Sequence, residues 1–254
     1  MNLTHWILHF RKNRLNRIEP SWTGPLRMDD NKRTALAASL AEYQLGDGGG
    51  PCRLIASDAE ALRASDDRVR EVIDLWFAEE KEHSRLLHGA VTRLRGTLIE
   101  DSYAFRLFNQ CRRIFDAQFE MLVLLIVEIV STGYYRVIRR HCNDKPISDM
   151  CRLILRDEAG HVAFHRDRLR SLYPEGIRLP WKMHFFLLGY ACTAFLWLGH
   201  GRWLRTIGGS WTELQQHVQS GLTRFARQLE GHHLPAVQDQ TSASCIPSRQ
   251  ALTC

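Results

Sequence analysis

Apolar residues recur every three or four positions along most of the chain, and a strict two-residue alternation is absent. This spacing places apolar side chains on one face of an α-helix, so the sequence predicts an all-α protein. Glycine-rich, proline-containing and N-capping segments separate the helical stretches. The predicted helices cover about 30–45, 54–64, 66–95, 101–141, 147–172, 180–206 and 211–229.

The chain of 254 residues has the length of a single domain with a full hydrophobic core. We expect one helical domain over 1–231, with its core at about 30–172 and extra helices before it and at about 180–230. Residues 232–254 carry Ser, Thr, Gln and Pro with little apolar periodicity, which predicts a disordered tail.

The segment Trp181–Leu198 reads WKMHFFLLGYACTAFLWL and is the most apolar part of the later chain. Its uninterrupted portion is shorter than the roughly 20 residues that a membrane-spanning helix needs. A buried helix is the favoured interpretation, and a peripheral membrane contact through 181–198 stays open.

Charge and cysteine content narrow the class further. The net charge is +6, but no motif interleaves basic and aromatic residues, so we expect no nucleic-acid partner. The seven cysteines include no C-x-x-C pair, which argues against a disulfide framework, a thiolate zinc site and a rubredoxin-type iron site. No secretory signal pattern is visible at the N-terminus, and a cytoplasmic location is expected.

The informative residues are acids and histidines that interrupt the apolar stripes. Glu80 and His83 fall on the stripe that contains Trp76 and Leu87, and side chains three or four positions apart share one helix face. Glu158 and His161 likewise continue the stripe of their own helix. A third Glu-x-x-His pair adjoins the tail and is expected by chance.

Two more acids occupy apolar faces. Glu128 lies within the run MLVLLIVEIV, and Glu42 follows Ala35 and Ala38 on one face. Burial of four carboxylates in one core is very costly without cations to neutralise them. Two divalent metal ions would supply that charge, and carboxylate and imidazole ligands suit iron or manganese.

This order of a Glu, a Glu-x-x-His, a second Glu and a second Glu-x-x-His on four helices resembles the ferritin-like di-iron carboxylate superfamily. The resemblance covers about 30–172 and implies a four-helix bundle with additional N-terminal and C-terminal helices. It also implies a site for two Fe ions, with Mn as the alternative metal. The metal ligands that it implies are Glu42, Glu80, His83, Glu128, Glu158 and His161.

The resemblance extends to residues around the ligands. Asp157 and Glu79 precede the two pairs, and in such proteins the acid at this position often hydrogen-bonds the opposite histidine. A surface acid is the alternative for both residues, and for Glu79 it is the favoured interpretation. His165 lies one turn beyond His161, where a hydrogen-bonded core histidine is favoured over a third histidine near the metal. Thr132 could relay protons to bound oxygen or simply bond its own helix.

Tyr135 shares the face of Glu128, and core packing is its default role, with radical or proton transfer as the alternative. Trp76, Phe77 and Leu124 are expected to line a pocket for the substrate.

The implied chemistry is oxidation of a small, largely apolar organic substrate by O2, in a di-iron oxidase or oxygenase. An external reductase or ferredoxin must supply electrons, because the chain carries no flavin, nicotinamide or rubredoxin motif. The alternatives are a ferritin- or rubrerythrin-like ferroxidase or peroxidase, a manganese catalase, and a metal-free helical scaffold on a membrane surface. A homodimer also stays open.

Overall fold

The computed structural model describes residues 1–48 and 52–230, and within these residues it contains α-helices and no β-strand. The predicted all-α class is confirmed. The predicted tail, 232–254, lies outside the described residues. The helices are α1 (Leu3–Leu15), α2 (Asp30–Gly48), α3 (Ala59–Ala64), α4 (Asp67–Arg93), α5 (Tyr103–Ile114), α6 (Ala117–His141), α7 (Lys145–Leu172), α8 (Leu179–Ile207) and α9 (Trp211–Leu229).

Four long helices surround the main core. α2 packs along α4, α6 packs along α7, and α4 contacts α7. Between α2 and α6, Tyr43 stacks on Tyr134 with 4.2 Å between ring centroids, and Ser39 Oγ lies 2.8 Å from the Tyr134 hydroxyl. The stripes predicted from the sequence face this interior, so both Glu-x-x-His pairs and Glu128 are buried within it, whereas Glu42 is half-buried.

The predicted single helix over 101–141 is two helices in the structure. The first helix, α5, ends at Ile114. The side chain of Asp116 then accepts a hydrogen bond of 2.8 Å from the backbone N–H of Phe119. An aspartate in this position caps a new helix. The apolar spacing continues across the break, which is why periodicity alone predicts one helix.

The C-terminal end of α5 is held by a buried ion pair. Arg112 Nε donates to Glu120 Oε1 at 2.9 Å, and Arg112 Nη2 donates to the carbonyl of Arg53 at 2.6 Å. Glu120 also accepts from the backbone N–H groups of Ile55 and Ala56. These bonds join α5, α6 and the segment before α3.

α8 contacts α2, α6 and α9 through its inner side, where Phe185 and Leu204 are buried. Its outer side exposes Met183, Leu187 and Leu198. The buried-helix interpretation therefore describes one side of α8, and the membrane contact stays a prediction. By length and composition α6 is apolar enough to cross a membrane, but 78% of its most apolar stretch is buried, as in a core helix.

Candidate metal centre

Two buried histidines from different helices face each other across the bundle. His83 on α4 and His161 on α7 have no exposed surface, and their ring centroids are 5.6 Å apart. Their Nδ1 atoms both point towards Glu80: His83 Nδ1 lies 3.5 Å from Oε2, and His161 Nδ1 lies 2.8 Å from Oε1. Glu80 is therefore shared between the two imidazoles.

Two further glutamates complete the inner cluster. Glu128 Oε2 lies 3.4 Å from His161 Nδ1. Glu158 lies between the histidines, with Oε1 at 3.8 Å from His83 Nδ1 and Oε2 at 3.6 Å from His161 Nδ1. Five of the six residues expected as metal ligands are thus brought together.

Glu42, the remaining expected ligand, lies in the wall of a neighbouring apolar cavity. Asp47, near the end of α2, faces Glu80 and His83 instead. Each of the two groups of potential ligands has its donor atoms within 4.8 Å of one another, and Glu80 belongs to both. The groups are Asp47 with Glu80 and His83, and Glu80 with Glu128 and His161.

Several atoms of the cluster have no hydrogen bond of acceptable geometry within the described residues. They are Glu80 Oε1, His83 Nδ1 and Glu158 Oε2. Unpaired buried polar atoms are rare in folded proteins, and binding of a metal ion is one recognised explanation for them. All three atoms belong to residue types that bind Fe or Mn, so the donor set fits such a metal.

The electrostatics of the cluster reflect its crowded negative charge. Burial and the charge of Glu128 raise the pKa of Glu158 well above its usual range. Burial and the charge of Glu80 raise the pKa of Asp47 to about 8. Burial opposes the charged form of both histidines, but the surrounding carboxylates outweigh it and raise the pKa values of His83 and His161. Without a cation, the cluster thus retains protons that limit its charge.

An outer pair of acids orients the imidazoles. Asp157 Oδ2 lies 3.3 Å from His83 Nε2, and Glu79 Oε2 lies 3.0 Å from His161 Nε2. Each acid comes from the helix opposite its histidine. A hydrogen bond from Nε2–H leaves the Nδ1 lone pair directed at the cluster, which is the tautomer that a metal ligand needs.

The negative charges of the outer acids, Asp157 and Glu79, are compensated by arginines, whereas the inner carboxyl groups have no such partner among the described residues. Arg17, which follows α1, donates from Nη1 to Asp157 Oδ2 at 2.8 Å and lies 3.7 Å from Glu79 Oε1. Arg156 donates to Asp157 Oδ1 at 2.8 Å. Nothing in the sequence pattern pointed to Arg17, because its contacts depend on how α1 packs against α4.

The hydroxyl beside the cluster belongs to Ser131. Its Oγ lies 3.1 Å from Glu158 Oε1 and 2.9 Å from the carbonyl of Glu128, and it donates to one of them. Thr132 donates to the carbonyl of Ile129 in its own helix at 2.7 Å, which is the helix-bonding alternative. The adjacent position on α6 therefore carries the hydroxyl that could act on a bound ligand.

The other expected site residues divide between the cluster and the core. The Tyr135 hydroxyl donates to Asp47 Oδ2 at 3.3 Å. His165 is fully buried, its ring lies 5.0 Å edge-on from that of Trp76, and neither of its nitrogens has a hydrogen-bond partner within the described residues. Burial lowers the pKa of His165 well below its usual range, so its ring is neutral.

A small chamber of about 50 Å³ adjoins the inner carboxylates. Trp76, Phe77 and Leu124, the expected substrate-pocket residues, all line it. Trp76 Nε1 also donates to Glu128 Oε1 at 3.2 Å. The chamber has room for a few molecules of the size of water.

Comparisons of the chain with protein-family models, with curated proteins and with solved structures found no match.

Proposed function

We propose that this protein is a ferritin-like di-iron oxidase or oxygenase, which uses O2 to oxidise an apolar organic substrate. The proposal rests on the four helices α2, α4, α6 and α7 that carry the acids and histidines. It also rests on the agreement between the cluster and the ligand order that resembles the di-iron carboxylate superfamily.

The observation that carries the proposal is the contrast in charge compensation. Asp157 and Glu79 meet arginines, whereas the inner carboxylates form no ion pair with Lys or Arg within the described residues. Four crowded carboxyl groups, three of them buried, have only the two imidazoles as basic partners in the described part of the chain, and this arrangement is unfavourable. Two divalent ions would neutralise all four of them, which are Asp47, Glu80, Glu128 and Glu158.

The residues that would hold the metal ions are assigned from the two ligand groups. Asp47 and His83 would bind one ion, Glu128 and His161 the other, and Glu80 would bind both. Two ferrous ions in this site would supply electrons for the reduction of O2.

The protein itself contributes orientation and a dry environment. Asp157 and Glu79 hold the imidazole rings, and the Ser131 hydroxyl can give or accept a proton at Glu158 Oε1. Trp76 and Phe77 give the chamber beside the carboxylates an apolar side, which would limit how much water enters it. An external reductase or ferredoxin would return the electrons.

The test is elemental analysis after anaerobic loading with Fe(II) and desalting. We expect about two iron ions per chain in the wild type, and near-zero iron in the His83→Ala/His161→Ala double variant. The matched control is the His184→Ala/His217→Ala double variant, whose histidines lie outside both ligand groups and are at least partly exposed. The control should retain all of its iron.

Near-zero iron in the wild type would contradict the proposal, and a parallel loading with Mn(II) would then show whether the cluster binds manganese. O2 uptake by the iron-loaded protein separates the remaining alternatives. Oxidation of many Fe(II) ions per chain would indicate a ferroxidase, whereas uptake that stops after one turnover without added reductant supports an oxidase or oxygenase.

A further inference from the structure

An apolar cavity of about 480 Å³ lies between α2, α5, α6 and α8. This volume is within the range of small-molecule binding sites, which is roughly 300–1,000 Å³. Most of its wall consists of aliphatic and aromatic side chains, including Leu107, Phe115, Val123, Leu188 and Phe195. We refer to it as the outer cavity, and to the space beside the carboxylates as the inner chamber.

The outer cavity adjoins the inner chamber, because the two spaces share part of their walls. The residues that line both are Gly46, Asp47, Phe105, Phe108 and Val127. These shared residues place the outer cavity directly beside the acids of the candidate metal centre.

α5 forms one wall of the outer cavity. Its apolar face, which includes Ala104, Leu107 and Cys111, lines the cavity, while the helix packs mainly against α6. Its C-terminal end is fixed by the ion pair between Arg112 and Glu120. An apolar helix face that borders an open space gains stability from an apolar molecule that fills the space.

The polar groups of the wall restrict the charge of the occupant. Glu42 and Asp47 contribute carboxyl groups, and no Lys or Arg is among the described residues that line the outer cavity. His200 also lines it, and its Nδ1 atom lies 2.9 Å from Ser39 Oγ. A carboxylate or phosphate on the ligand would therefore find no cation there.

We infer that the outer cavity binds an elongated apolar molecule without a negative charge, one end of which reaches the inner chamber. The elongated shape follows from the adjacency of the two spaces, and the absence of a negative charge follows from the acidic residues of the wall. That this molecule is the substrate rests on the proposed function, whereas its binding does not require the metal.

Binding can be measured with the metal-free full chain and the neutral fluorescent probe N-phenylnaphthylamine. We expect saturable binding of one probe per chain and its displacement by dodecanol. Dodecanoate, which has the same chain length but a negative charge, should displace the probe at least about tenfold less well. Absence of saturable binding would overturn the inference, and equal displacement by dodecanoate would overturn the charge assignment.

The location is tested by filling the cavity from its own wall. Gly199 lines the outer cavity, and a Cβ atom there meets no heavy atom within 4 Å, so Gly199→Leu adds bulk without a clash at that atom. Each buried methylene contributes about fourfold to affinity, so this variant should bind dodecanol at least about tenfold more weakly. The control is Leu198→Phe, at an exposed neighbour outside the wall. Unchanged affinity in Gly199→Leu would place the ligand elsewhere.

A substitution at Gly46 tests whether one end of the ligand enters the inner chamber. Gly46 lines both spaces, and a Cβ atom there meets no heavy atom within 4 Å. In the wild type, affinity should rise by about fourfold per methylene from octanol towards hexadecanol. In Gly46→Leu this rise should stop at a shorter chain, so that hexadecanol loses more affinity than octanol. A parallel rise in both proteins would show that the ligand does not enter the inner chamber.

These outcomes are separable from those of the iron experiment. Alcohol binding without two iron ions per chain would refute the di-iron proposal alone. Two iron ions per chain without alcohol binding would refute the cavity inference alone.

Discussion

Asp157→Asn is the substitution that most directly probes the support of the candidate metal centre. The Asp157 carboxylate is fully buried on α7 and accepts hydrogen bonds from His83, Arg17 and Arg156. Asparagine has nearly the same shape but no charge. The variant should therefore lose stability and bind metal more weakly while the helices persist.

The magnitude follows from two features of the structure. Burial alone would raise the pKa of Asp157, but the hydrogen bond and charge of His83, with Arg17 and Arg156, outweigh it and lower this pKa from 3.8 to about 2. A carboxyl group with this difference between folded and unfolded chain contributes about 2 kcal/mol above pH 4, and loses it as the pH falls towards 2. Removing one partner of a buried ion pair costs about 3–5 kcal/mol.

Arg17 keeps Glu79 at 3.7 Å when Asp157 is replaced, so the cost should lie near the lower end of that range. We expect a loss of about 2–3 kcal/mol at neutral pH in urea unfolding of the metal-free protein. Because Asp157 holds His83, Fe(II) affinity in an anaerobic titration should fall about 10- to 100-fold.

The matched control is Asp167→Asn on the same helix, where a partly exposed aspartate pairs with the adjacent Arg166 at 3.1 Å. Such a surface pair contributes about 0–1 kcal/mol, and the control should bind Fe(II) like the wild type. If Asp157→Asn lost no more Fe(II) affinity than Asp167→Asn, the view that Asp157 positions His83 would be refuted.

Three further predictions follow from the described contacts. Ser131→Ala should weaken Fe(II) binding about tenfold in the same titration, because it removes the hydroxyl beside Glu158. Thr132→Ala should bind Fe(II) like the wild type, because its hydroxyl bonds its own helix. Equal effects of the two substitutions would refute the assignment of Ser131 to the cluster. Glu120→Ala should lower the free energy of unfolding, measured with urea, by about 3–5 kcal/mol. The reason is that it removes the carboxylate that pairs with the buried Arg112 and accepts from two backbone N–H groups. A loss below about 1 kcal/mol would contradict this prediction. Burial lowers the pKa of His200 to about 4 in the folded protein. As the pH falls from 6.5 to 4, this histidine is protonated in the unfolded chain but not in the folded one. The free energy of unfolding should therefore fall by about 3 kcal/mol over this range. His200→Leu should lack this component in urea unfolding across that pH range, and an unchanged pH dependence would show that His200 does not titrate there.

The sequence by itself determined most of the helices, though not the break between α5 and α6, and it determined which helix faces carry the acids and histidines. Glu80, His83, Glu158 and His161 lie on apolar stripes, and the helical period of 3.6 turns them towards the interior whatever their neighbours are. The same period places Asp157 and Glu79 beside the inward pairs. Their contacts with the opposite histidines follow once α4 and α7 pack face to face.

Only the tertiary structure decided which residues meet at the ends and edges of these helices. Asp47 rather than Glu42 faces the cluster, and Ser131 rather than Thr132 contacts Glu158, because the axial offset and rotation of packed helices leave no trace in periodicity. Arg17 reaches the outer acids from far along the chain. The outer cavity, likewise, exists only because four helices leave a space between them, and no single helix encodes that space.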